Sequence, residues 1–205
     1  MKVTKHFVGA ALLSAALFVS SQASAVEVNQ PAPNFTGKTA DGTTLTLDQL
    51  RGKTVVLEWT NDGCPYVKKH YSSKNMQGLQ KDYTGQGIVW LQIISSPPGM
   101  QGYADGPRAI ALNGERDAVP TKTLLDPEGK LGRLYGAQTT PHMHIVDAKG
   151  TLVYKGGIDS IASSRQEDLP KAVNYVREAL NAMGSGKAIP NASTRPYGCT
   201  IHYNS

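Results

Sequence analysis

Two cysteines, Cys64 and Cys199, are the residues of this chain best suited to chemistry. Cys64 stands in Asn61-Asp62-Gly63-Cys64-Pro65-Tyr66-Val67-Lys68, where a compact apolar run ends and a helix begins. A sulfur placed there meets the free amides of the first helical turn and the positive end of the helix dipole. Both favour an anion, so the sequence predicts a Cys64 thiolate that attacks near neutral pH. Thr60, Gly63 and Lys68 form its predicted surroundings, and Lys68 and Lys69 add positive potential where they turn toward the sulfur. Disulfide exchange needs such a thiolate on an edge that a partner sulfur can reach. The competing reading of Cys64 is a small buried hydrophobe at a strand end.

Cys199 lies far along the chain, in a stretch that has Pro190 and Pro196 and no periodicity. Three readings are open. A tail folded back over the helix start makes Cys199 a resolving thiol, attacking a sulfenic acid or mixed disulfide on Cys64. A permanent bridge would instead staple a long loop, worth about 4–5 kcal/mol on the chain-entropy model. In the third reading the two sulfurs never meet. Thr140-Pro141 is an ordinary loop pair or, with a cis bond, a place where the Thr140 backbone faces the thiol. An extended substrate chain could pair there, with Pro65 and Tyr66 completing the groove.

The elements that position these residues follow from pattern. Phe35–Ala40 and Thr43–Leu47 flank Asp41-Gly42 and read as a hairpin. Leu47–Leu50 forms one short turn. Thr54–Thr60 and Ile88–Ile94 are apolar runs typical of strands buried on both faces. A helix is expected from Pro65 to Tyr83, with proline suited to its first turn. Further elements are a helix over 107–117, a strand over 121–125 and a short helix over 129–135. His142–Asp147 and Thr151–Lys155 pair as a second hairpin, and Asp168–Met183 reads as an amphipathic helix with Leu169, Val173, Val176 and Leu180 on one face. The tail from about 185 is irregular. Alternating strands and helices with a late hairpin predict an α/β three-layer sandwich: a central mixed sheet with an N-terminal β-hairpin extension.

Lys2 and Lys5, the apolar run Val8–Val19 and Ala23-Ser24-Ala25 read as a signal peptide cut after Ala25. The run is shorter than the roughly 20 residues that span a bilayer. The expected organisation is a leader at 1–25 and one domain at 26–205, exported to the periplasm or secreted. Formal charge is +5 for the whole chain, and the leader holds two of the lysines and no acid. The small excess left is scattered, which argues against a nucleic-acid partner, and no second apolar run reaches membrane length.

Cys64-Pro65-Tyr66-Val67 opening a helix, with Thr140-Pro141 before a hairpin ending in Gly156-Gly157, resembles the thioredoxin superfamily. Pro31-Ala32-Pro33-Asn34-Phe35 and Leu50-Arg51-Gly52-Lys53-Thr54-Val55-Val56 resemble its redoxin branch, the alkyl hydroperoxide reductase/thiol-specific antioxidant family. The pairing of Cys64-Pro-Tyr-Val-Lys with Tyr197-Gly-Cys-Thr-Ile-His resembles redoxin-domain proteins that join a CPYVK motif to a C-terminal GCxIKW-like motif. The resemblance implies a thioredoxin-like fold and a redox-active Cys64; with no second thiol in the motif, Cys199, where it reaches Cys64, is the resolving thiol. It also implies thiol or disulfide substrates, or peroxides, and an external electron donor. The chain departs from that pattern at two positions. Val67 replaces the second thiol of a CxxC pair, and Asn61 stands where a peroxidatic motif has threonine.

The expected activity is thiol–disulfide exchange, with no cofactor. Its rivals are a peroxiredoxin-like peroxidase and a non-catalytic binding module, or a metallochaperone using Cys64, Cys199 and His70 or His142. His142 and His144 alternate on one strand; without a third ligand nearby they are read as exposed and no metal is assigned. His70 receives no role. Arg108, Arg116, Arg133 and Arg165 are each candidate thiolate stabilisers, and Trp59 and Trp90 are read as core.

Overall fold

The computed structural model describes residues 26–203; the predicted leader lies outside the described residues. In chain order the strands are β1 (Thr36–Thr39), β2 (Thr44–Thr46), β3 (Val55–Trp59), β4 (Val89–Ile94), β5 (Lys122–Leu125), β6 (Thr139–Thr140), β7 (His142–Val146), β8 (Leu152–Gly156) and β9 (Cys199–Thr200). The helices are α1 (Pro65–Ser72), α2 (Asn75–Thr84), α3 (Gly106–Glu115), α4 (Lys130–Leu134) and α5 (Tyr175–Gly184).

Every residue of β3 and β4 is buried, as their unbroken apolar character requires of central strands. They pair in parallel, Val55 opposite Val89 through Trp59 opposite Ile93. β5 continues the parallel part, while β1 and β7 join antiparallel on either side, giving the order β2-β1-β5-β4-β3-β7-β8. The predicted hairpin is formed by β1 and β2, with Gly42 at φ +83° in its turn. Strand alternation sends Val56, Trp90, Met143 and Ile145 to one face, where Val67, Tyr71, Leu79 and Val176 from α1, α2 and α5 cover them. Val55, Leu57, Trp59 and Ile93 fill the other face with Phe35, Leu131 and Tyr135. These layers are the expected sandwich.

Three expectations are corrected. The helix expected over 65–83 is two helices. Ser73 Oγ donates to Lys69 O at 2.7 Å, and Lys74 takes a left-handed φ of 60°, so the chain turns before α2 begins. The helix expected from Asp168 starts only at Tyr175. Pro170, with no amide proton, leaves 166–171 as a 3-10 turn, and Asn174 caps α5 by accepting from Arg177 N at 2.9 Å. Val173 therefore lies outside the helix and is exposed. The tail is not irregular throughout: it runs along β8, with Thr194 N donating to Lys155 O at 3.0 Å, and then adds β9 to β6.

Candidate redox site

Cys64 is the N-cap of α1, and Pro65 takes the first helical position. Its backbone is extended, and the Cys64 amide donates to Asn61 O at 3.1 Å, closing the turn that leaves β3. Asn61 holds that turn by accepting from Gly63 N at 2.9 Å and donating to Gln101 O at 3.2 Å. Its side chain is thus committed to backbone at the position where a peroxidatic motif has threonine. A Cβ on Gly63 would meet the side chain of exposed Gln101 at 2.5 Å, so a larger residue there would have to displace it.

Cys64 and Cys199 are bonded to each other, with Cα atoms 5.9 Å apart. That distance lies in the range a disulfide requires. Of the three sequence readings, the one in which the sulfurs never meet is removed. Cys64 Sγ lies 3.1 Å from Thr140 O; in the bonded state this is a close approach, and only a thiol could donate across it. The Thr140-Pro141 bond is cis. Thr140 pairs with Cys199 and Thr139 with Thr200, antiparallel. The edge expected to receive a substrate strand is therefore occupied by the protein's own tail.

The expectation of a reachable Cys64 fails for this state: the residue is 0% exposed. The tail contributes to the cover, since Tyr197 and Cys199 pack, half-buried, against the apolar cluster that contains Cys64. Tyr66 is also half-buried, edge-on to Tyr197 at 5.8 Å. Thr60 and Thr140 are buried with hydroxyls that find no partner among the described residues.

The cations are distributed differently from expectation. Lys68 is exposed. Lys69 is buried and donates to Asp159 Oδ2 at 3.2 Å and to Tyr197 OH at 3.2 Å. Arg108 pairs with Glu115, Arg165 with Asp168, while Arg116 lies over the Tyr71 ring and Arg133 over the Tyr203 ring. Tyr197 OH also donates to Asp159 Oδ1, with His70 Nε2 3.5 Å away. His70 Nδ1 meets Asn75 Nδ2 at 2.8 Å. Burial, and then the Lys69 charge, push His70 down to about 4, while burial, and then the Asp159 carboxylate, push the Tyr197 phenol up. Sequence reasoning missed this cluster. Its members come from α1, the segment after β8 and the tail, and no local pattern joins them.

His142 and His144, read as exposed, are buried on the face of β7 opposite Met143 and Ile145, with His144 against Trp59 and Tyr135 and His142 against His144. Among the described residues no group of three or more His, Cys, Asp or Glu side chains is arranged to hold a metal ion. No helix among them is long and apolar enough to cross a membrane.

Residues 28–155 match the model of the AhpC/TSA family. A Coxiella burnetii protein named "Putative peroxiredoxin bcp" is 29% identical over 112 residues, which cover 54% of this chain and 67% of that one. Among solved structures, a hypothetical protein of Sinorhizobium meliloti 1021 superposes at TM-score 0.75 with 22% identity, covering 89% of this chain and 97% of its own. The thioredoxin domain of a Bacteroides vulgatus thiol-disulfide oxidoreductase gives TM-score 0.51 at 17% identity, over 72% and 98%. At such identities the likeness is one of fold. The family match spans more than half of the sequence, and the chain belongs to the AhpC/TSA family, on a thioredoxin fold.

Proposed function

We propose that the protein is an exported thiol–disulfide oxidoreductase in which Cys64 is the nucleophile and Cys199 resolves. Family membership supports the broader class, a thiol oxidoreductase or thiol-dependent peroxidase. The observation that carries the finer reading is the Cys64–Cys199 pairing at the start of α1, with one partner buried and the other half-exposed.

An external thiolate meets the bridge from the Cys199 side and forms a mixed disulfide with it. The electron pair of the broken S–S bond goes to Cys64, which as N-cap of α1 lies at the positive end of that helix's dipole. A second donor thiolate then frees Cys199, leaving a dithiol. With the tail lifted, Cys64 attacks a substrate disulfide and expels one substrate sulfur. Cys199 attacks Cys64 in the resulting mixed disulfide, which reduces the substrate and restores the bridge.

Alkylation and mass spectrometry across graded glutathione buffers test this reading. A redox-active pair titrates as one couple with a midpoint above about −270 mV, whereas a structural staple resists reduction to below about −300 mV. The Coxiella relative's name favours a second reading, peroxide reduction at Cys64. Saturating, Cys64-dependent peroxide consumption in stopped flow would replace exchange by it. The Asn61 side chain, tied to Gly63 and Gln101, weighs against that reading. Export rests on the leader pattern, and N-terminal sequencing of periplasmic material should begin at Val26.

A further inference from the structure

The tail lies on the β6 edge as an extended strand with a cysteine facing Cys64, so its own sequence records what that groove accepts. The three positions from Tyr197 to the sulfur are each constrained. Cys199 is set opposite Thr140 by the β6–β9 register. Gly198, immediately before it, has φ +135°, and a Cβ built there would collide with the Thr140 carbonyl oxygen. No residue but glycine fits that conformation and that gap without displacement. Tyr197, one residue earlier, puts its ring against Tyr66 and its hydroxyl between Lys69 and Asp159. Thr200, after the cysteine, pairs with Thr139 through its backbone and leaves its side chain exposed.

We infer that the tail is a built-in copy of the substrate, and that Cys64 selects disulfides of extended polypeptides whose cysteine follows Tyr-Gly. The inference rests on the exchange reading above and adds its specificity. Main-chain pairing to Thr139–Thr140 supplies sequence-independent affinity, and the tyrosine seat and the glycine gap supply choice. Tail and substrate use one edge and exclude each other. In the forward step the Cys64 thiolate bonds to the substrate cysteine sulfur while the other substrate sulfur leaves with the electron pair. When Cys199 then closes the bridge, the tail retakes the edge and the reduced peptide departs as a thiol after taking one proton.

The full chain carrying Cys199→Ser is reduced and mixed with peptides whose single cysteine is capped by thionitrobenzoate, release of which is coloured. The peptides carry Tyr-Gly-Cys-Thr, Tyr-Ala-Cys-Thr or Ala-Gly-Cys-Thr, and the symmetric dinitrobenzoate disulfide serves as a size-independent control. The variant's own tail competes equally with all three, so their ratios are unaffected. Tyr-Gly-Cys should react about 10- to 100-fold faster than Ala-Gly-Cys, which lacks bonds to buried charged groups. It should react at least about 10-fold faster than Tyr-Ala-Cys, which cannot take the glycine conformation unstrained. Equal rates for the three peptides with a reactive control overturn the specificity alone. No reaction even with the control overturns the exchange reading itself. Should Cys199→Ser fail to fold, Gly198→Ala in the two-cysteine chain gives the same information. It should shift the Cys64–Cys199 equilibrium toward the dithiol by about 5- to 150-fold, and an unchanged equilibrium overturns the inference.

Discussion

The two faces of the central sheet each bury a polar cluster, and they are built on opposite terms. On the face carrying Cys64, Lys69 and Asp159 form an ion pair at 3.2 Å that is closed off by Tyr197 from the tail. On the other face His142 and His144 sit 4.6 Å apart between ring centroids, and His144 packs edge-on to Trp59 and Tyr135. Burial is the main force holding both imidazoles neutral, His142 down to about 4 and His144 well below the ordinary histidine range. The first cluster spends its charges on a segment that must dock in one register. The second is mostly aromatic packing, with a backbone bond from Gln138 N to His142 Nδ1 at 3.1 Å. A buried ion pair adds little net stability but discriminates strongly against a wrong partner, whereas neutral rings fill space and discriminate weakly.

The largest effect that separates the two clusters should come from Asp159→Ala. It strands the Lys69 ammonium in the interior, and chemical denaturation should show a loss of about 3–5 kcal/mol. A loss under about 1 kcal/mol would mean that Lys69 is solvated after all, and the tail face would then resemble any surface ion pair. Tyr197→Phe removes a hydroxyl bonded to both charges. Titration with a dithiol should find the Cys64–Cys199 bridge about 10- to 100-fold easier to open, with the stability of the reduced protein unchanged. An unchanged bridge would show that the phenol does not anchor the tail.

The histidine face should report itself through pH. Its folded-state imidazoles ionise at lower pH than in the unfolded chain, near 6.5. The stability they contribute is complete above that value and is lost as pH falls toward 4, because only the unfolded chain takes up the proton. Each histidine so held contributes a slope of about 1.4 kcal/mol per pH unit in that window. His144→Leu should remove one such share from urea midpoints measured between those limits. A slope identical to that of the parent protein would place the acid sensitivity elsewhere, with His70, also held to about 4, the next residue to change.

Much of this was legible locally. The apolar runs that became β3 and β4 read as strands buried on both faces, Asp41-Gly42 marked its hairpin, and Cys64-Pro65 marked a helix start. Errors fell where one side chain overrode periodicity: Pro170 cut short a helix whose apolar spacing looked continuous, and the Ser73-Lys74 turn divided another. His142 and His144 were misplaced for a different reason. Polar type suggests exposure, but an imidazole held neutral packs like an aromatic ring.

The order of apolar runs, turns and caps in the chain determined the layers of the fold and the placing of Cys64 at a helix start, because backbone geometry and burial periodicity act over short range. Only the tertiary structure decided that Cys199 returns to Cys64, that the tail takes the Thr139–Thr140 edge, and that Tyr197 finds Lys69 and Asp159. Those contacts join residues far apart in sequence. Their existence depends on how the sheet, α1 and the tail converge in space, which no window along the chain contains.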